Sequence, residues 1–187
     1  MKLLLHTCCG PCLLYPLEQL NSEGYNVTGY FYNPNIHPYK EFRRRLDSLE
    51  KLGKSEQLSL IVERDYDLNA YLQDIVHNEE RRCSICYDLR LQKTVEYAVD
   101  NGFDCFSTTL LYSRYQNHSQ IEEKCASLAN QFGIAFIYQD FREGWQKGID
   151  RSIEKNLYRQ PYCGCIYSEQ ERYDNRLKKR LRKNRKK

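Results

Sequence analysis

Seven of the nine cysteines in this 187-residue chain fall into three groups. Cys8, Cys9 and Cys12 share one short segment, Cys83 and Cys86 form a CxxC pair, and Cys163 and Cys165 form a CxC pair. A thiolate is a nucleophile and a soft metal ligand, so grouped cysteines in a chain without a secretory pattern point to metal or redox chemistry. Four thiolates satisfy a tetrahedral zinc, and four also satisfy an iron–sulfur cluster. Seven exceed what one structural zinc requires. Cys8, Cys9, Cys83 and Cys86 would complete a [4Fe–4S] cluster. Cys12, Cys163 and Cys165 would then be free to hold a second metal ion or to act as a redox-active thiol pair. The blander reading is zinc in four of the seven with the rest idle. Cys105 and Cys125 stand alone in apolar surroundings and read as small buried hydrophobes.

The elements that must position these thiols follow from the hydrophobic pattern. Residues 2–7 read as a short buried strand that ends at the first cysteine group. Gly10 and Pro11 break it, and a helical spacing runs on to about Gly24. Further strands are expected at 26–32, 58–62, 103–107 and 135–138. Helices are expected at 39–52, stopped by Gly53, and at 66–76, 83–99, 117–132 and 141–156. The CxxC pair opens its helix, where the free N–H groups favour thiolate. The CxC pair lies in a loop at 158–165, and a polar, basic helix follows from Ser168. Strands alternating with helices imply an α/β fold with a mainly parallel sheet and helices on both faces. Segments 7–12, 33–39 and 107–115 then fall at one carboxyl edge, where such sheets bind ligands. Strand order does not follow from the sequence.

Composition sets the outer bounds. Hydrophobic residues are 41% and charged residues 29%, as in a soluble globular domain. No apolar run approaches a membrane span and no leader pattern is present, so the expected setting is cytoplasmic, with no membrane partner. Residues 172–187 carry ten Lys/Arg against one Asp, while residues 1–171 are net acidic at −5. The expected organisation is a single α/β metal-centre domain over 1–171 and a basic C-terminal helix or tail over 172–187. A basic tail on an acidic body suits a polyanionic partner, although a solvated terminus has the same composition.

Other residues are weaker candidates. Sixteen tyrosines, among them Tyr30, Tyr32, Tyr39, Tyr87, Tyr112, Tyr115, Tyr158 and Tyr162 near the predicted turns, suit base stacking as well as ordinary packing. Arg43–Arg45, Arg81, Arg82 and Arg159 suit phosphate, or solvent. His6 reads as a core histidine and His37 as a better site candidate. Asp140 orients a ligand or caps a helix. The phosphate-cradling patterns GxGxxG and GxxxxGK[ST] are absent.

Taken together, Cys8-Cys9-Gly-Pro-Cys12, the segment 31–38 (Phe-Tyr-Asn-Pro-Asn-Ile-His-Pro), Arg82-Cys83-Ser-Ile-Cys86 with Arg90, Ser107-Thr-Thr-Leu110 with Ser113, Asp140-Phe-Arg142, and the segment 158–165 ending in Cys163-Gly-Cys165 resemble the QueH-type epoxyqueuosine reductases. The resemblance spans nearly the whole chain. It implies a Rossmann-like sheet similar to adenine-nucleotide alpha-hydrolase folds, without their phosphate loop. It implies cobalamin-independent reduction of epoxyqueuosine at the tRNA wobble position, a [4Fe–4S] cluster beside a second iron, and an external electron donor whose identity it leaves open. Carried over, Cys8, Cys9, Cys83 and Cys86 are the cluster ligands. Cys163 and Cys165 are a redox-active pair or ligands of the second iron. Cys12 stands where some members have Asp, which makes that ligand softer. Tyrosine, His37 or a thiol would supply protons. The rival readings are a cluster-dependent tRNA thiolase, which needs an ATP phosphate loop, and a zinc-stabilised RNA-binding module without catalysis.

Overall fold

The computed structural model describes residues 1–178. Five parallel strands form one sheet in the order β3-β2-β1-β4-β5: β1 Lys2–His6, β2 Asn26–Phe31, β3 Ser59–Val62, β4 Cys105–Thr108 and β5 Ala135–Phe136. The expected α/β class with a parallel sheet is what the chain adopts. β1 lies at the centre, pairing Leu3 with Val27 on one side and with Cys105 on the other. Its Leu3, Leu4 and Leu5 are all fully buried, as a strand covered on both faces must be.

The helices are α1 Gly10–Ser22, α2 Tyr39–Ser55, α3 Leu68–Ile75, α4 Arg82–Asp100, α5 His118–Phe132, α6 Trp145–Glu154 and α7 Ile166–Tyr173. α1 buries Leu13, Leu14, Leu17 and Leu20, and α4 buries Leu91, Val95 and Ala98, all in the main core. Cys105 and Cys125 are fully buried in that core, as their surroundings suggested.

Several boundaries differ from the sequence reading, β5 ending at Phe136 and α3 starting at Leu68 among them, and two of the differences have a visible cause. Gly53 does not stop α2, which runs on to Ser55. A Cβ there would lie 2.4 Å from Leu60 Cδ1, so the glycine serves close packing of the helix on β3. The helix expected from Phe141 starts as a 3-10 turn, Phe141–Gly144, because the Asp140 carboxylate caps it by accepting from Arg142 N at 3.0 Å. Asp140 also pairs with the Arg142 guanidinium, so it is a capping residue.

The order of strands reverses direction between β1 and β4, and that is where a crevice opens in sheets of this kind. The loop after β1 carries Cys8–Cys12 and the loop after β4 carries Thr109 to Gln116. The helix expected from Ser168 starts at Ile166 and ends at Tyr173, with Glu169 and Glu171 against Arg172, so it is polar but not basic; residues 179–187 of the expected basic tail lie outside the described residues.

Candidate metal centre

The first thiol group is built by the β1–α1 turn. Cys9 is the N-cap of α1, its Sγ accepting from Cys12 N at 3.4 Å. Gly10 allows α1 to approach α2, since a Cβ there would meet Ser48 O at 3.0 Å. The consequence is that Sγ of Cys8, Cys9 and Cys12 all lie within 4.8 Å of one another. Two residues from distant loops complete the shell. Gln160 Nε2 donates to Cys9 Sγ at 3.0 Å and Cys12 Sγ at 3.2 Å. Thr109 Oγ1 donates to Cys8 Sγ at 3.7 Å.

Hydrogen bonds from Cys12 and then Cys9 hold Cys8 well below the usual thiol range. Burial holds Cys9 above it, and the hydrogen bond with Cys8 holds Cys12 above it.

The second group joins the start of α4 to the loop before α7. Burial raises Cys83, and raises Cys86 to about 12, and Cys163 and Cys165 add to both shifts as neighbouring charges. The packing of Cys165 with Tyr71, Ile75 and Ile85 sets the CxC loop beside the start of the CxxC helix. Cys165 caps α7, its Sγ accepting from Ser168 N at 3.4 Å, and Gln116 Nε2 donates to Cys163 Sγ at 3.0 Å. Gly164, at φ +154°, adopts a backbone that side chains disfavour, and a Cβ would lie 2.9 Å from Asn35 Nδ2. The CxC spacing needs that glycine.

Arg90 stands between the groups. It is 2% exposed, its Nε donates to Cys86 O at 3.1 Å, and its Nη2 has no partner among the described residues. Burial raises both Cys86 and Cys163, and the Arg90 charge offsets part of each shift, while Cys86, Cys163 and Cys8 favour the charged guanidinium in return. A buried cation with a free N–H beside a set of thiols is a ready counter-charge for thiolate.

A cavity of about 550 Å³ opens over both groups. Its wall includes Cys8, Cys12 and Cys163, with Arg90, Gln160 and the aromatic residues Tyr112, Tyr115, Tyr162 and Trp145. Among the described residues, no helix is long and apolar enough to cross a membrane.

His6 is the satisfied core histidine expected, with Nδ1 3.0 Å from Thr108 Oγ1 and Nε2 3.3 Å from Tyr32 O. His37 is not on the cavity wall. It is buried with its ring against Tyr71 and Tyr66, and its backbone N–H donates to Gly164 O at 2.8 Å, so it supports the cysteine loop. Gln160, Gln116 and Trp145 carry no signal in the sequence. Nothing local to an amide or an indole says that a thiol or a cavity will fold against it.

Comparison with known proteins places the chain in a family. A family model described as epoxyqueuosine reductase QueH matches residues 3–171. A protein of that name from Dehalococcoides mccartyi is 39% identical over 172 residues, covering 92% of this chain and 94% of its own length. One from Histophilus somni is 36% identical over 179 residues, covering 89% and 72%, and one from Haemophilus influenzae is 38% identical over 176, covering 89% and 71%. Among solved structures, a protein described as a predicted subunit of tRNA methyltransferase from Methanocaldococcus jannaschii superposes with a TM-score of 0.55 at 15% identity, over 82% of this chain and 76% of that one. That likeness concerns the fold.

Proposed function

Because the chain belongs to the epoxyqueuosine reductase QueH family, we propose that it reduces the epoxide of epoxyqueuosine at the wobble position of tRNA to the alkene of queuosine. The reaction takes up two electrons and two protons and releases water, so an electron donor outside this chain is required. The tRNA substrate makes the cytoplasm its place of work.

The observation that carries this reading is the cavity, in which thiols of both groups face stacking rings and free guanidinium groups. The donor set fits the metal groups the family implies. Three thiols within 4.8 Å of one another suit a single ion, because metal–sulfur bonds of about 2.3 Å bring ligand sulfurs that close. The four thiols of Cys83, Cys86, Cys163 and Cys165 suit a cluster, which takes four thiolates. When bound, the cluster supplies electrons singly and the adjacent iron acts as a Lewis acid toward the epoxide oxygen.

The protein's own residues do the rest. Gln160, Gln116 and Thr109 donate to the sulfurs, and hydrogen bonds of that kind stabilise thiolate charge. Arg90 lines the cavity and places a buried guanidinium charge beside it, where oxyanion character would develop as the epoxide opens. Of the expected proton sources, Tyr112 and Tyr162 have their hydroxyls committed to the carbonyls of Trp145 and His37. Tyr115 and any thiol not engaged by metal remain on the wall.

The resemblance divides the thiols differently, with the cluster on Cys8, Cys9, Cys83 and Cys86, and Cys163 and Cys165 as a redox-active pair or ligands of the second iron. The two divisions separate in one experiment. The chain is purified anaerobically, analysed for iron and sulfide, and assayed for conversion of epoxyqueuosine-tRNA. The Cys163→Ser/Cys165→Ser double variant then loses the cluster absorbance under the spatial grouping and keeps it, inactive, under the other. A colourless zinc protein with no conversion, made with ample iron, would leave only the RNA-binding module.

A further inference from the structure

Tyr115 is 85% exposed, yet its ring lies on the cavity wall. It meets Trp145 edge-on, centroids 5.7 Å apart, and Trp145 stacks on Tyr112 at 5.2 Å. The column is held from below, because Tyr112 Oη donates to Trp145 O at 3.0 Å. Gly148 keeps space for that hydroxyl, since a Cβ there would lie 2.2 Å from it. The fold thus fixes Tyr112 and Trp145 and leaves Tyr115 standing in solvent at the mouth. The Arg114 guanidinium lies 5.8 Å from the Trp145 ring, and Arg159 lines the same wall. Neither makes an ion pair among the described residues. The carboxylate on the wall, Glu171, is already paired with Arg82.

Surface rings beside guanidinium groups that no carboxylate pairs are how single-stranded nucleic acid is held, by base stacking and phosphate contact. We propose that Tyr115 and Trp145, with Arg114 and Arg159, form a subsite for the nucleotide next to the wobble position, its base on the rings and its phosphate at the two guanidinium groups. This rests on the reading above, in which the modified base enters the same cavity. A nucleotide drawn into it brings its neighbour to the mouth, where an unstacked base needs a new surface.

Trp145 is the single tryptophan of the chain, so its fluorescence reports on this subsite alone. The probe is an anticodon stem-loop RNA with plain guanosine at the wobble position, which needs no reductase chemistry. It quenches the fluorescence on binding, and an abasic residue at one of the two neighbouring positions abolishes the quench. Tyr115→Ala weakens binding roughly five-fold or more, and Tyr115→Phe restores it. Arg114→Ala and Arg159→Ala each flatten the salt dependence of binding. Circular dichroism checks that each variant folds. Quenching that survives both abasic substitutions, together with full affinity in Tyr115→Ala, overturns the subsite. Failure to convert epoxyqueuosine-tRNA with the quench intact sinks the reductase reading and leaves the subsite standing. Conversion without any quench removes the subsite alone.

Discussion

Arg45 donates from Nη1 to the main-chain carbonyl of Cys163 at 2.7 Å, tying the middle of α2 to the cysteine loop. Its Nη2 donates to Tyr162 O at 2.9 Å and its Nε to Glu41 at 2.7 Å, all with the side chain 1% exposed. Arg45→Met frees the loop and leaves the Glu41 carboxylate buried without its cation. Removing one partner of a buried pair costs about 3–5 kcal/mol. Urea unfolding should show that loss, and the Glu41→Gln/Arg45→Met double variant should recover part of it. Equal stability of the single and double variants would mean that the pair does not act as a unit.

Arg90 gives a second prediction, on the metal-loaded protein. Removing a buried positive charge disfavours the more reduced, more negative state of a neighbouring centre. Arg90→Gln should therefore lower the midpoint potential seen in a spectroelectrochemical titration, and Arg90→Lys should lower it less. An unchanged potential in Arg90→Gln would place the guanidinium outside the field of the centre.

The close approach of Gly148 to Tyr112 is testable by adding one methyl group. Gly148→Ala must move the Tyr112 hydroxyl, and overpacking of this kind costs about 1–3 kcal/mol. Gly148→Ala/Tyr112→Phe removes the clashing oxygen and should regain part of the stability in thermal melts. It should also change the emission of Trp145, which Tyr112 stacks on.

His37 makes stability depend on pH. Burial lowers it from 6.5 to about 4, so the folded state holds the ring neutral. A group with a depressed folded pKa contributes stability that is present above its unfolded value and lost as pH falls toward the folded one. The chain should therefore lose up to roughly 3 kcal/mol from this residue between about pH 6.5 and pH 4. His37→Phe should flatten that part of the profile in urea melts. An identical profile would show that other groups dominate acid unfolding.

The tail is tested by salt. Residues 179–187 contain seven Lys/Arg. If they neutralise phosphates of the tRNA backbone, deleting them should weaken binding. It should also reduce the slope of log K against log salt by nearly one for each phosphate left unneutralised. An unchanged slope would make them a solvated terminus.

Much was legible in the residues themselves. Alternating β-formers and amphipathic stretches specified five strands and the helices between them, because periodicity is a local property that reflects which face is buried. The helix start at Asn117 could be read from the pattern, and the thiol groups announced metal or redox chemistry. The exceptions are informative. Gly53 signals a stop locally, but Leu60 on β3 fills its missing side chain, and a contact between elements outweighs a propensity of about 1 kcal/mol.

Only the tertiary structure decided the order β3-β2-β1-β4-β5, and with it the crevice between β1 and β4 where Cys8 meets Thr109. Only it drew Cys8, Cys9 and Cys12 within 4.8 Å of one another, and set Gln160 against Cys12 from 148 residues away. Spacing along a chain constrains neighbours within an element. Which loops share an edge depends on which strands pair, and that follows from burying every apolar face at once, a condition that no short stretch of sequence contains.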